Sequence, residues 1–197
     1  MMVDDGSTDR TASIMDRLAA EVPHARAVHH PRNLGIGAGI RTCFFESAGE
    51  WATFFPADMQ ADPAELPRLV SHLDRCDVLL TYRDHSARTV GAVRKLVSAT
   101  DRVLVRAMFG IRARDLHWVH FFRRSLLERM VIKAKSPLID VEMLAAARMM
   151  GARIEEVPLI DRERRFGVAR GASLKNVVHA FAELMSLRVR GVEIKDR

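Results

Sequence analysis

The sequence is poor in the residues that mark several classes of protein. It has two cysteines, Cys43 and Cys76, each inside an apolar-periodic segment. That leaves no disulfide framework and no metal-ligand spacing, and it fits a reducing cytoplasm. Aromatic residues make up 6% of the chain, and none interleave with the basic runs. Stacking platforms for nucleic acid need such interleaving, so no nucleic-acid partner is expected. No apolar run reaches the ~20 residues that cross a bilayer, and no signal peptide is visible. The expected location is cytoplasmic, with at most a peripheral attachment at the inner membrane face. No repeat, low-complexity tract or linker interrupts the chain, so a single domain over residues 1–197 is expected.

At 197 residues and 48% hydrophobic, the chain can bury a substantial core. Its net charge is +6, from 31 Lys and Arg against 25 Asp and Glu. An excess of that sign points to an anionic partner: phosphates, an acidic membrane surface or nucleic acid.

The informative stretch is Phe54-Phe55-Pro56-Ala57-Asp58-Met59-Gln60-Ala61-Asp62-Pro63. Trp51 to Phe55 is an unbroken apolar run, as in a central parallel strand covered on both faces. Pro56 has no N–H and stops the ladder. Asp58 and Gln60 follow, two apart, so in an extended segment their oxygens point to one side. Asp62 and Pro63 read as the N-cap and first residue of a helix. Hard oxygen ligands thus stand at the carboxyl end of a strand, where open α/β sheets bind ligands.

The same grammar recurs along the chain. Val3 ends a strand, and Asp4-Asp5-Gly6-Ser7-Thr8-Asp9 is a turn-and-cap sequence before a helix over about 9–21. A strand over 25–29 precedes a second helix opened by Asn33-Leu34-Gly35-Ile36-Gly37-Ala38-Gly39 and running to about Ala48. A helix over 63–73 and a strand over 77–82, ending at Arg83, complete a β-α-β-α-β-α-β order. That order predicts an α/β fold with a doubly wound, mostly parallel sheet and helices on both faces. Further on, helices are expected over 89–109 and 140–150, and strands over 118–122 and 153–160. An arginine-rich loop spans 161–171. A last amphipathic helix starts at Leu174, with Leu174, Val177, Val178, Phe181, Leu184 and Met185 on its apolar, core-packing face.

Several residues could carry chemistry. Asp5 could accept from a nucleobase N–H or a ribose hydroxyl, while Ser7, Thr8 and Asp9 equally suit a helix cap. Asp58 and Gln60 are candidates for Mg²⁺ or Mn²⁺ held mainly by substrate phosphates. Arg83, at a strand end, could grip a diphosphate or be a solvated arginine. Arg162, Arg164, Arg165 and Arg170 crowd a glycine-containing loop that could close over a phosphorylated ligand. Gly35, Gly37 and Gly39 lack dinucleotide-binding spacing and read as helix–strand packing. His29 and His30, beside Pro31, read as loop residues.

On these residues the sequence resembles the family 2 GT-A glycosyltransferases, in particular the dolichyl- and polyprenyl-phosphate sugar (mannosyl) transferases. Residues 3–11 are similar to the family's V-D-D-G-S-x-D-x-T nucleotide loop, and residues 33–38 to its N-x-G-x-G-A segment. Residues 56–63 resemble its D-A-D-L-Q-x-x-P metal loop. Val141-Glu142-Met143-Leu144 and Ile154-Glu155-Glu156-Val157-Pro158 are similar to its E-x-E-L-L and I-x-E-V-P blocks.

The resemblance implies an enzyme that moves a sugar from a nucleotide-diphosphate sugar to a polyprenyl phosphate or other acceptor, metal-assisted and with inversion. It implies that Val3, Asp5, Ala57, Asp58, Arg83 and Arg170 meet the donor, and that Asp58 and Gln60 hold Mg²⁺ or Mn²⁺. It divides the domain into a nucleotide and metal half (1–84), an acceptor half (85–173) and a C-terminal amphipathic helix and tail (174–197). Pro56 replaces the first aspartate of the metal loop. Asp115 followed by Trp118-Val119-His120 replaces the family's acceptor pattern, and Leu174 falls where a late-loop lysine is often found. Asp115 is the candidate base for a hydroxyl acceptor, with Asp140 and Glu142 as alternatives. The chain starts at what resembles the family's second strand, so an N-terminally truncated domain is expected. The rival reading is a non-catalytic or degenerate domain that binds a nucleotide or acts as a partner subunit.

Overall fold

The first strand, β1 (Met2–Asp4), pairs in parallel with β2 (Ala27–His29), with Val3 opposite Val28. The helix between them, α1 (Thr11–Glu21), begins two residues later than its sequence pattern, because Asp9 accepts from the Thr11 N–H at 2.9 Å and caps the turn. The structure, a computed structural model, describes residues 1–85, 92–163 and 174–195, without the side chains of 92–96 and 174–180.

The next helix, α2 (Ile36–Phe45), packs across both β1 and β3 (Trp51–Thr53). These two strands are not hydrogen-bonded to each other. The β1–β2 pair is one sheet, and β3 opens a second sheet of four strands. That sheet has the order β3-β5-β4-β7, with β4 at Val78–Asp84, β5 at His120–Arg123 and β7 at Ile154–Ile160. β4 and β7 are parallel over seven residue pairs, from Val78↔Ile154 to Asp84↔Ile160. β5 runs antiparallel to both β3 and β4, so one reversed strand sits inside an otherwise parallel sheet. The family of patterns along the chain gives an α/β fold; the reversal of β5 is a property of the assembled sheet.

β4 is buried on both faces, as its apolar run requires. Val78 and Leu80 enter one core with Phe44, Phe122, Val105, Leu144, Leu184 and Leu187. Leu79, between them, enters a second core with Phe121, Trp118, Leu69 and Leu159. This is the period-two alternation of a strand. Phe44 is fully buried and meets Phe122 edge-to-face at 5.4 Å between centroids.

Helix α4 (Ala92–Phe109) covers the sheet with α6 (Ile139–Met149), whose residues from Ile139 to Ala147 are all buried. Short pieces follow β5: α5 (Arg124–Leu127) and β6 (Met130–Val131), the latter antiparallel to β8 (Glu193–Ile194).

Two expected elements change form. The helix over 63–73 breaks into a 3₁₀ turn (Pro63–Glu65), α3 (Leu66–Val70) and a second 3₁₀ turn (Leu73–Arg75). Pro67 has no N–H for the preceding turn, which prevents a continuous helix. The last helix, α7 (Leu174–Arg190), buries Leu184 and Leu187, whereas Phe181 and Met185 are 50% and 42% exposed. Of the expected face, Leu184 is therefore buried and Phe181 and Met185 are not, while the side chains of Leu174, Val177 and Val178 lie outside the described residues. No helix among the described residues is long and apolar enough to cross a membrane.

Candidate active site

Two acidic loops stand at the carboxyl ends of β1 and β3, both strands lying under α2. In the first, Asp4 is 4% exposed and its Oδ1 accepts from the Ser7 N–H at 3.0 Å. Hydrogen bonds from Ser7 hold this carboxyl below the usual carboxylate range against the effect of burial, with help from His29. His29 bridges Asp4 and Asp16, at 3.3 and 2.9 Å, and its pKa is raised by both.

Asp5 is the hub of this loop. Its Oδ1 accepts from the Leu34 N–H and pairs with His30 Nδ1, and its Oδ2 accepts from the Gly35 N–H, all at 2.8 Å. Burial alone would raise its pKa; the bonds from His30, Leu34 and Gly35 outweigh that and lower it. His30 continues to Thr42 Oγ1 on α2 at 2.9 Å. The expectation that His29 and His30 are simple loop residues therefore fails: both clamp the acidic loop. Their signal was a histidine pair at the end of a strand, His29 closing β2 and His30 following it, beside the two aspartates at the neighbouring strand end.

Glycine is required at two points around this loop. Gly6 has φ +70°, and a Cβ there would lie 2.3 Å from the Arg32 carbonyl carbon. A Cβ on Gly37 would lie 2.3 Å from the Lys135 carbonyl oxygen, so its bareness lets α2 meet the 135–136 backbone, not a strand as the spacing had implied. A cavity of about 590 Å³ lined by Thr8, Asp9, Arg10, Thr11 and Ile14 follows the loop.

The second loop is a turn rather than the extended segment read from the sequence. Met59 has φ +62°, and Asp58 Oδ1 accepts from the Gln60 N–H at 3.1 Å. Asp58 is half-buried and Gln60 only 6% exposed. Gln60 Nε2 donates to Asp161 Oδ1 at 3.4 Å, and its carbonyl accepts from the Arg162 N–H at 2.9 Å. Asp161, fully buried at the end of β7, also pairs with His85 Nδ1 at 2.9 Å, and its N–H donates to the Asp84 carbonyl. Asp62 caps the following turn through the Ala64 N–H and pairs with Arg162 at 2.6 Å. The loop is thus tied to the carboxyl ends of β4 and β7. His85 and Asp161, a pair the sequence reading did not single out, are the ties.

The donor set here suits a divalent ion carried mainly by a ligand's phosphates. Mg²⁺ takes one or two carboxylates and completes its shell with phosphate and water oxygens, so Asp58 with the Gln60 amide oxygen meets that need. It does not suit an all-protein cage: no group of three or more His, Cys, Asp or Glu able to hold a metal occurs among the described residues.

On the far side of β4, Arg83 and Asp115 form a two-fold contact. Arg83 Nη1 donates to Asp115 at 2.9 and 2.7 Å, and Nη2 donates to the His117 carbonyl at 2.6 Å. The guanidinium stacks over Trp118, 4.2 Å from the ring centroid. Both residues that the sequence assigned to separate jobs, donor contact and base, occupy each other. Asp140, at the start of α6, is 1% exposed; its Oδ2 lies 3.4 Å from His117 Nδ1, and its Oδ1 has no partner among the described residues. His117 Nε2 lies 3.1 Å from Asp101 Oδ2. Burial would lower the pKa of His117, but hydrogen bonds to Asp101 and Asp140 and their charge push it up to about 10. Glu142 is consumed structurally: its Oε2 accepts from the Lys133 and Ala134 N–H groups, and its Oε1 pairs with Arg190 at 2.7 Å. Arg164, Arg165 and Arg170, expected in the late loop, lie outside the described residues.

Such an architecture, acidic loops at strand ends beneath an α/β sheet with one reversed strand, is that of the GT-A nucleotide-sugar transferases. Solved structures agree. Glucosyl-3-phosphoglycerate synthase from Mycobacterium tuberculosis, in complex with Mn²⁺, UDP-glucose and phosphoglyceric acid, superposes with a TM-score of 0.68 at 22% identity, over 95% of this chain and 67% of that one. The same synthase with Mg²⁺ and UDP gives 0.66 at 22% identity, over 93% and 67%. The family model described as "Glycosyl transferase family 2" matches residues 1–131. The chain belongs to that family. It is 30% identical over 179 residues to the undecaprenyl-phosphate 4-deoxy-4-formamido-L-arabinose transferase of Pectobacterium atrosepticum, covering 89% of this chain and 53% of the relative. The enzyme of the same name from Salmonella paratyphi B is 29% identical, over 85% and 50%. The chain spans about half the length of the curated relatives it matches.

Proposed function

We propose that this chain is the catalytic part of a glycosyltransferase that takes a nucleotide-diphosphate sugar as donor. The observation that carries the reading is the Asp58–Gln60 turn at the end of β3, braced by Asp161 and Arg162 at the end of β7. The transfer is a direct displacement with inversion. An acceptor oxygen bonds to the anomeric carbon as the bond from that carbon to the donor diphosphate breaks, and the electron pair leaves on the diphosphate. Asp58 and Gln60 are the residues to hold Mg²⁺ or Mn²⁺, which when bound neutralises charge on the diphosphate.

The nucleotide half brings Val3, Asp5 and Ala57 to the donor, with Asp5 acting by holding the 34–35 backbone in place. Arg83 acts through Asp115 and the His117 carbonyl, shaping the acceptor side, and Arg170 is the late-loop candidate for the diphosphate. The names of the curated relatives support a polyprenyl phosphate as acceptor, at a membrane surface. Its phosphate oxygen is already anionic and needs no base. A hydroxyl acceptor would need a base, but both Asp115 oxygens are held by Arg83 and Asp140 is 1% exposed against His117, which favours the phosphate acceptor.

The test is calorimetry of UDP- and GDP-sugars with and without Mn²⁺, on the chain and on Asp58→Ala. Metal-dependent donor binding that disappears in the variant is expected. Binding that is the same in both would remove Asp58 from the site.

A further inference from the structure

A second cavity, of about 380 Å³, lies away from the acidic loops and is lined by Arg106, Gly110, Arg112 and Arg148. It forms where two helices end side by side. Arg106 lies in the last turn of α4 and Arg148 in the last turn of α6. Gly110, with φ +68°, ends α4 in the left-handed conformation, and a Cβ on it would come within 3.3 Å of the Arg148 guanidinium. All three arginine side chains are exposed, and none pairs with a carboxylate among the described residues.

Arginines at helix carboxyl ends ordinarily offset the helix dipole. Two such ends supply about half a negative charge each, so about two of the three positive charges remain unanswered. Elsewhere among the described residues Arg83, Arg123, Arg153, Arg162 and Arg190 each have a carboxylate partner. Three unanswered planar guanidinium groups around one cavity are the donor set that grips a tetrahedral, multiply charged oxyanion.

We propose that this cavity is a binding site for a phosphate-bearing anion, separate from the donor crevice. Asp140 and Arg148 lie on the same helix, eight residues or about 12 Å apart along its axis, so the cavity sits at the opposite end of α6 from the His117–Asp140 pair. The shared chemistry is a phosphate group; it can come from a soluble phosphorylated compound or from the headgroup of an anionic lipid.

The experiment compares the wild-type chain, Arg148→Ala, Arg112→Ala and, as a charge control, Arg17→Ala on α1. One arm titrates inorganic phosphate by calorimetry; the other measures co-sedimentation with phosphatidylglycerol vesicles against phosphatidylcholine vesicles. Removing one of three charge-assisted donors is expected to weaken binding about tenfold in Arg148→Ala and Arg112→Ala, with Arg17→Ala unchanged. Loss in the phosphate arm alone supports a soluble ligand, and loss in the vesicle arm supports a lipid headgroup. Equal binding by all four proteins in both arms, or an equal loss in Arg17→Ala, overturns the proposal. UDP-sugar binding, measured on the same proteins, reports the donor crevice separately and is expected to be the same in all four.

Discussion

Arg83 and Asp115, 32 residues apart in sequence, meet through one guanidinium nitrogen at 2.9 and 2.7 Å from the two carboxylate oxygens. The pair is four-fifths buried on each side, 20% and 15% exposed. It locks the loop before β5 to the end of β4 and decides the orientation of His117 and Trp118.

Removing one partner of this pair leaves the other charge without an answer. Asp115→Ala is therefore expected to destabilise the chain by about 2–4 kcal/mol, reduced from the fully buried case because some solvent reaches the site. Arg83→Met with Asp115→Leu is expected to recover much of that. Urea unfolding of Arg83→Met, Asp115→Leu and the double variant measures the coupling. Independent, additive losses would show that the contact contributes nothing.

Asp5 is expected to matter for the loop it holds, apart from any ligand. Asp5→Ala strips the Leu34 and Gly35 N–H groups of their acceptor, at about 1–3 kcal/mol. Thermal unfolding in the absence of nucleotide detects this. An unchanged midpoint would mean that the 33–35 segment is held by α2 alone.

The glycines of α2 separate two causes. Gly37→Ala places a methyl group against the backbone of Lys135 and is expected to cost about 1–3 kcal/mol. Gly39→Ala meets nothing within 4 Å and lies inside the helix, so it is expected to stabilise by about 0.5–1 kcal/mol. Chemical denaturation of the two variants side by side checks the opposite signs.

His117 predicts a loss of stability toward alkaline pH. Its folded pKa of about 10 lies above the unfolded value of about 6.5. Between those values the folded chain binds the extra proton, so stability falls as pH rises. The contribution is complete below about 6.5 and gone above the folded pKa. Asp77 acts at the other limit. Hydrogen bonds from Arg153, against burial, hold it at about 2, so its contribution is lost as pH falls from about 4 toward that value. Urea midpoints from pH 3 to 10 are expected to decline at both ends. The alkaline decline should flatten in His117→Gln and the acid decline in Asp77→Asn. A wild-type profile level from pH 7 to 10 would contradict the His117 assignment.

Much of the fold was legible in the chain because it is written locally. The strand at Trp51 was legible as a strand, but it ends at Thr53 and lies at the sheet edge, antiparallel to β5, rather than as a central parallel strand. The Asp62–Pro63 helix start and the spans of α2, α6, β4 and β7 follow from hydrophobic period and turn chemistry within a few residues. So does the position of the acidic loops, since a strand stopped by proline or followed by Asp-Gly must place its polar groups at its end. The family motifs added which of those loops matter. Where the local reading slipped, a local rule was overruled: Pro67 broke a helix that its neighbours favoured, and Met59 turned a segment read as extended.

What the sequence by itself determined, then, is the order of elements and the residue types at their ends. Only the folded chain decided that β5 runs backwards between β3 and β4, that Asp115 is spent on Arg83, that Asp161, itself paired with His85, braces Gln60, and that three arginines surround Gly110. Each of these joins residues brought together by sheet order and helix packing, and pairing at such separations is set by which surfaces can be buried together, a condition no short window of sequence contains.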